Sequence, residues 1–168
     1  LSVDEYCDSL VEEFEAKILE LGADNVACFI AEPVMGSGGV LVPPPGYHKK
    51  MKAVCEKYGV LYILDEVVTG FGRLGHFFSA EPVWEIVPDL ITCAKGITSG
   101  YQPLGAVLIS DRLFDAVTGS NAPEAAYFTN GYTYSGHPVC CAAALKNIEI
   151  IKREGICEKV QELGPYFI

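Results

Sequence analysis

No apolar run in these 168 residues approaches the ~20 needed to span a bilayer, and no block of Lys and Arg exceeds two adjacent positions. The first absence argues against a membrane-spanning helix. The second, with 22 acidic against 12 basic residues and a formal net charge of −10, argues against nucleic acid and anionic membrane surfaces as partners. An anionic ligand would need local donors, because the overall field repels it. The seven cysteines form no CxxC pair and no Cys/His metal spacing, so neither a disulfide frame nor a metal site is expected. Most sit in apolar segments, where a free thiol behaves as a small hydrophobe, and this fits a reducing, cytoplasmic setting. His48, His76 and His137 have no carboxylate, Ser or Cys at triad or metal spacing and are given no role.

What the sequence does have is concentrated between Val60 and Gly100. Val60-Leu-Tyr-Ile-Leu64 ends in Asp65, and Leu90-Ile-Thr-Cys-Ala94 ends in Lys95. Both runs are apolar, free of interior Gly and Pro, and bounded by turn formers, which predicts strands buried on both faces of a parallel sheet. Neither charge suits a sheet interior. At the carboxyl ends of such strands they would instead face the crevice where open α/β sheets bind ligands. A lysine amine there can form a Schiff base with a carbonyl compound, pyridoxal phosphate being one. A buried carboxylate nearby would keep that cofactor's ring nitrogen protonated, the state in which the ring best withdraws electrons.

The rest of the chain predicts a frame for this pair. Ser2-Val-Asp-Glu5 has capping-box spacing before a helical pattern from Tyr6 to Leu21. Val26–Ala31 is a strand ending in Glu32-Pro33, and the Gly/Pro-rich stretch from Met35 to Gly46 is a turning loop. Gly36-Ser-Gly-Gly39 lacks a Walker lysine and a following helix, so it is not taken as a phosphate loop. Apolar positions from Tyr47 to Tyr58 keep helical spacing, giving a strand–helix–strand unit. Gly105–Ser110 is a further strand and Asp111–Val117 a short helix. Residues from Thr118 to Gly131 form a loop, and Val139–Arg153 is a helix with Pro138 in its first turn. Phe77, Phe78 and Trp84 are packing aromatics.

Asp65-Glu-Val-Val-Thr-Gly-Phe-Gly-Arg-Leu-Gly75 and Ala94-Lys-Gly-Ile-Thr-Ser-Gly-Tyr-Gln-Pro-Leu-Gly-Ala106 resemble the class III aminotransferases, pyridoxal-phosphate enzymes of fold type I. Glu32-Pro-Val-Met-Gly-Ser-Gly-Gly-Val resembles the family's Glu-Pro loop. Asn130-Gly-Tyr-Thr-Tyr-Ser-Gly-His-Pro138 resembles its stretch whose Thr reaches the cofactor phosphate of the other subunit. The resemblance covers nearly everything after Val26. It implies a three-layer αβα fold with a mostly parallel sheet, a homodimer or dimer of dimers, and transfer of an amino group from a small-molecule amine to a keto acid. By resemblance, Lys95 bonds the cofactor and shuttles a proton, Asp65 pairs with its ring nitrogen and Val67 packs on its ring. Thr133, with Tyr132 beside it, reaches its phosphate. Arg73 matches the family's Gly-Arg, as a substrate contact or as an ion pair fixing its loop.

Many members carry Gln at the position of Val68. The aliphatic residue here, with Phe-Gly-Arg and Tyr-Thr-Tyr-Ser-Gly-His-Pro, is similar to the ω-amino-acid and diamine:pyruvate transaminases and points to pyruvate as acceptor. A phospholyase, racemase or aminomutase would share Asp65 and Lys95. From another class, Leu61–Glu66 also fits a Walker B strand of an ATPase, but no GxxxxGK[ST] precedes it. Family members are more than twice as long, so the 168 residues are expected to be part of the large domain, without the small domain and the N-terminal segment.

Overall fold

The computed structural model describes residues 1–118 and 130–167. Helix α1 (Val3–Leu21) starts at Ser2, whose hydroxyl accepts from the Glu5 amide while the Glu5 carboxylate accepts from the Ser2 amide. The predicted capping box is thus formed. Strand β1 (Cys28–Ala31) leads through the Gly/Pro loop to α2 (Tyr47–Tyr58), held between the left-handed glycines Gly46 and Gly59. Strand β2 (Leu61–Asp65), helix α3 (Ala80–Trp84), strand β3 (Leu90–Cys93), strand β4 (Ala106–Ile109) and helix α4 (Asp111–Thr118) follow. Helices α5 (Pro138–Arg153) and α6 (Ile156–Leu163) complete the described elements. The loop expected from Thr118 to Gly131 falls for the most part outside the described residues, and Thr118 itself closes α4.

The sheet has four strands in the order β1-β2-β3-β4. β1, β2 and β3 run parallel and β4 antiparallel, in keeping with the mostly parallel α/β fold read from the sequence. Asp65 is the register partner of Thr92, and Cys93 of Ala106. The crossover helix α2 and helix α1 cover one face, where Ile18, Met51, Val54, Cys55, Tyr62 and Leu64 make the main core. His48 is fully enclosed there, bonded to the Tyr62 hydroxyl at 2.8 Å and to the Pro33 carbonyl at 3.1 Å. Burial lowers its pKa, as expected of a packed neutral imidazole.

Burial on both faces is met only in part: β2 and β3 are buried or half-buried along their length, but the flanking strands are open on one side. Cys28 is exposed, Ile30 is 56% exposed, and Val107 and Ile109 on β4 are 58% and 43% exposed. These residues share the face opposite α1 and α2, and among the described residues no helix covers it. The apolar runs therefore indicate strands correctly, while among the described residues only one face of the sheet is covered by helices. Helices α3 and α6 were not anticipated; α3 has only five residues, and α6 follows α5 after a single left-handed glycine, Gly155.

Asp89, at the foot of β3, ties three elements together. Its carboxylate accepts from the Tyr62 amide of β2 at 2.8 Å, from Lys52 of α2 at 3.3 Å and from Arg112 of α4 at 2.6 Å. Burial alone would raise its pKa; the Tyr62 amide, Arg112 and Lys52 outweigh this and hold it below the ordinary aspartate value. A lowered folded pKa means stability that is complete above the unfolded value of ~3.9 and is lost as pH falls through the folded value. Asp89→Asn should cost about 2–3 kcal/mol at neutral pH. Urea unfolding at several pH values should show the gap to the wild type closing as pH drops below ~4.

Candidate functional site

The carboxyl edge of β2 and β3 is built by one turn on each strand. After β2, Asp65 Oδ1 accepts the Val67 amide at 3.0 Å, an Asx turn that starts the loop running to Phe78. Glu66 then points inward and is fully buried. Its two oxygens accept from the Thr69 hydroxyl, the Ser79 amide and hydroxyl, and the Ala80 amide, at 2.5–3.1 Å. One carboxylate thus fastens the beginning and the end of the loop and caps α3. Backbone pairs from Phe71 to Phe77 and from Gly72 to His76 close the loop's tip. Arg73, at that tip, has no carboxylate partner among the described residues, so the loop is fixed by Glu66 and by backbone pairing rather than by an arginine ion pair. The sequence reading passed over Glu66, although a carboxylate in an otherwise apolar stretch followed by Thr69 was a usable signal.

After β3, Lys95 opens a 3₁₀ turn, Lys95–Thr98. Its φ of +43° lies in the left-handed region, as does that of Phe71 at +58°; for residues with side chains this is strained, by about 1–3 kcal/mol each. The turn is held from α5, where Asn147 Nδ2 donates to the Gly96 and Ile97 carbonyls at 2.8 and 3.1 Å and Asn147 Oδ1 accepts from the Ser99 hydroxyl at 2.7 Å. A small second core of Cys93, Ile97 and Ala144, with Phe71, Phe78 and Leu104, lies beneath. Gly96 makes this approach possible, since a Cβ there would stand 3.0 Å from Phe71 Cβ and 3.2 Å from the Gly70 carbonyl. Asn147 is a second residue that the sequence did not reveal, because its partners are backbone atoms some fifty positions away.

Two openings flank this edge. Lys95, Arg73, Val68, Phe71 and Gly96 line a cleft of about 620 Å³ closed on its far side by Ile156 and Val160 of α6. Asp65 opens instead onto a groove of about 710 Å³, with Glu32, Met35, Phe29 and Tyr47. Val68, which lines the first, is 3.3 Å from where a Cβ on Gly36 would lie. Of the twelve basic side chains, eight are in ion pairs and Lys152 lies over the Phe77 ring. Both Lys95 and Arg73, without a carboxylate partner among the described residues, line the same cleft. The chain thus supplies the local cations that an anionic ligand would need against a net charge of −10.

The other expected site residues are placed as follows. Val67 is half-buried and touches Asp65 through its amide. Tyr132 is 78% exposed and Thr133 exposed, in a turn whose hydrogen bonds are local: Tyr132 N to Ser135 Oγ and Ser135 N to Tyr132 O. That turn lines neither opening; its Tyr134 and His137 meet Gln102–Leu104 instead. The Walker B alternative fares poorly, because Glu66 is fully engaged inside the protein and the Gly36–Gly39 turn leads to a Met35–Leu41 bridge, not to a helix. Among the described residues, no group of His, Cys, Asp and Glu is placed to hold a metal, and no helix is long and apolar enough to cross a membrane.

Glu66→Ala would leave two amides and two hydroxyls without their acceptor. A loss of about 3–5 kcal/mol is expected, with faster amide exchange confined at first to residues 67–80. Gly96→Ala should be milder, at about 1–2 kcal/mol, and should act on the Lys95 cleft. Chemical denaturation with peptide-resolved hydrogen exchange would measure both.

Comparison with known proteins bears on this edge as a whole. The family described as aminotransferase class-III matches residues 2–168. Gamma aminobutyrate transaminase 3, chloroplastic, of Solanum lycopersicum is 46% identical over 164 residues, 98% of this chain and 31% of that protein. Putrescine–pyruvate aminotransferase of Pseudomonas aeruginosa is 46% identical over 167 residues, 99% of this chain and 35% of that protein. An (S)-enantioselective omega-transaminase from Thermomicrobium roseum superposes with a TM-score of 0.91 at 46% identity, over 99% of this chain and 36% of the other. An amine transaminase from an uncultivated Pseudomonas species, solved with its PLP bound, gives a TM-score of 0.91 at 42% identity, over 97% of this chain and 36% of the other. The chain therefore spans about a third of the length of the relatives it matches, and over that length it belongs to the class-III aminotransferase family.

Proposed function

We propose that these residues are part of the cofactor-binding large domain of a pyridoxal-phosphate-dependent transaminase, moving an amino group from an amine or ω-amino acid to a keto acid, with pyruvate as acceptor. The observation that carries the reading is the placement of Asp65 and Lys95 at the carboxyl ends of neighbouring parallel strands, the amine free of any carboxylate partner among the described residues. Support comes also from relatives named as transaminases, one of them for putrescine and pyruvate.

The residues present suit the cofactor. Only one hydrogen bond to the Asp65 carboxylate, from the Val67 amide, is formed among the described residues, which leaves Oδ2 for a ring nitrogen. Beside it the Thr92 hydroxyl oxygen is buried without a partner. Lys95 and Arg73 offer positive charge next to an anion. The cofactor supplies an aldehyde for an amine to bond and a ring that withdraws electrons from the carbon bearing the substrate's nitrogen. Lys95 Nζ would hold the cofactor through its aldehyde and, once the substrate's amine had displaced it, would be free to move the proton of the substrate carbon. Asp65 holds the proton of the ring nitrogen by charge pairing. Val67 packs against the ring. Val68 cannot donate the hydrogen bond that a Gln would, and this supports the ω-amino-acid or diamine subgroup. Thr133, with Tyr132, extends to the phosphate held by a second subunit, so the enzyme is a homodimer at least. Their exposure is compatible with that role. The free thiols favour a reducing compartment, the cytoplasm in the simplest case.

Incubation of the full-length polypeptide with pyridoxal phosphate should give a visible absorbance band that borohydride fixes to Lys95, and Lys95→Ala should abolish it. Asp65→Asn should keep the band but lower turnover of an ω-amino acid with pyruvate by about 10²-fold or more. A folded protein with no band and no labelled lysine would falsify the assignment.

A further inference from the structure

Two buried hydroxyls lack a partner among the described residues, Ser110 just past β4 and Thr92 within β3. Thr92 Oγ1 is buried and has no hydrogen-bond partner, a state that costs free energy and that native interiors rarely tolerate without reason. Of the side chains paired with it in the sheet, only one offers an acceptor. On its face of β3 it is flanked by two register partners, Val107 on β4, which offers no acceptor, and Asp65 on β2, which does. Parallel neighbours lie about 4.8 Å apart, within reach of a hydroxyl that turns about χ1. Asp65 in turn has one oxygen taken by the Val67 amide and the other with no partner among the described residues. Two unmet groups, a donor and an acceptor, therefore stand side by side on the last rung before Lys95.

We propose that Thr92 is a positioning residue for Asp65: its hydroxyl donates to the carboxylate when the ring nitrogen of a bound pyridoxal phosphate draws Asp65 into line, and so fixes the carboxylate's orientation. The proposal rests on the cofactor reading given above and adds a residue to it. Neutral donation to an ionised carboxylate is stronger than an ordinary hydrogen bond, and it leaves Asp65 acceptor-only, the form that pairs with a protonated ring nitrogen. The hydroxyl's cost in the empty site is offset only when the site is filled.

This gives opposite signs for one substitution. In the full-length polypeptide, Thr92→Val keeps the shape and removes the hydroxyl. Its thermal midpoint without added cofactor should be equal to or above that of the wild type. Its pyridoxal phosphate dissociation constant, followed by the visible band, should rise about 5- to 10-fold. Thr92→Ser should return the affinity to within about 2-fold of the wild type. A Thr92→Val protein that binds as tightly as the wild type overturns the assignment, as does one that melts lower without cofactor, which would make Thr92 a packing residue. Serine that fails to rescue overturns it too, since the methyl rather than the hydroxyl would then matter. A wild type that takes up no pyridoxal phosphate overturns the cofactor reading itself, and the role of Thr92 with it.

Discussion

A carboxylate removed from water has to be met by donors, and the four that meet Glu66 come from both ends of one loop and from the start of α3. Almost everything at the carboxyl edge of the sheet depends on this arrangement. It holds the loop from Val67 to Phe78 down on the second core, and through Phe71 it sets the ceiling over Gly96. It delivers Arg73 to the Lys95 cleft, with no ion pair among the described residues to hold it there. Because the donors are two amides and two hydroxyls rather than a cation, the negative charge is spread over short dipoles, and geometry more than Coulomb attraction sets the loop's shape.

The two candidate side chains are carried differently. Asp65 stands on a regular strand and is oriented by its own Asx turn, so its position follows from sheet register. Lys95 sits one residue past a strand, in a strained turn stapled from a distant helix by Asn147. Register errors between β2 and β3 would separate the pair, and Asp89, bonded to the Tyr62 amide at the opposite end of the same two strands, guards against them. The foot of the sheet and its functional edge are in this sense one device.

Much of this was legible in the residues alone. Period and punctuation predicted the four strands, α1, α2 and α5, and the Asp65 and Lys95 strand ends, because local sequence controls those features. The capping box at Ser2 was likewise a local matter. The apolar strands correctly implied a mostly parallel sheet, but apolarity says only that a face is to be covered. It does not say by what, and among the described residues one face stays open. Glu66, Asn147 and Thr92 were missed for a common reason. Each matters through partners that only folding brings near: a loop end, a turn held from another helix, and a neighbouring strand. Arg73 shows the reverse, a residue whose motif was plain but whose lack of an ion pair among the described residues needed the structure to see. Thr133 and Tyr132 stand on an exposed turn, and only their motif points to a partner for them.

The positive φ of Lys95 has an evolutionary edge to it. At +43° the backbone occupies a region where glycine is at ease and lysine is not. Selection for folding alone would therefore drift toward glycine at this position and silently delete the amine. On the role proposed for its amine, the lysine is held at a cost in stability, and a lineage released from that role would gain by replacing it.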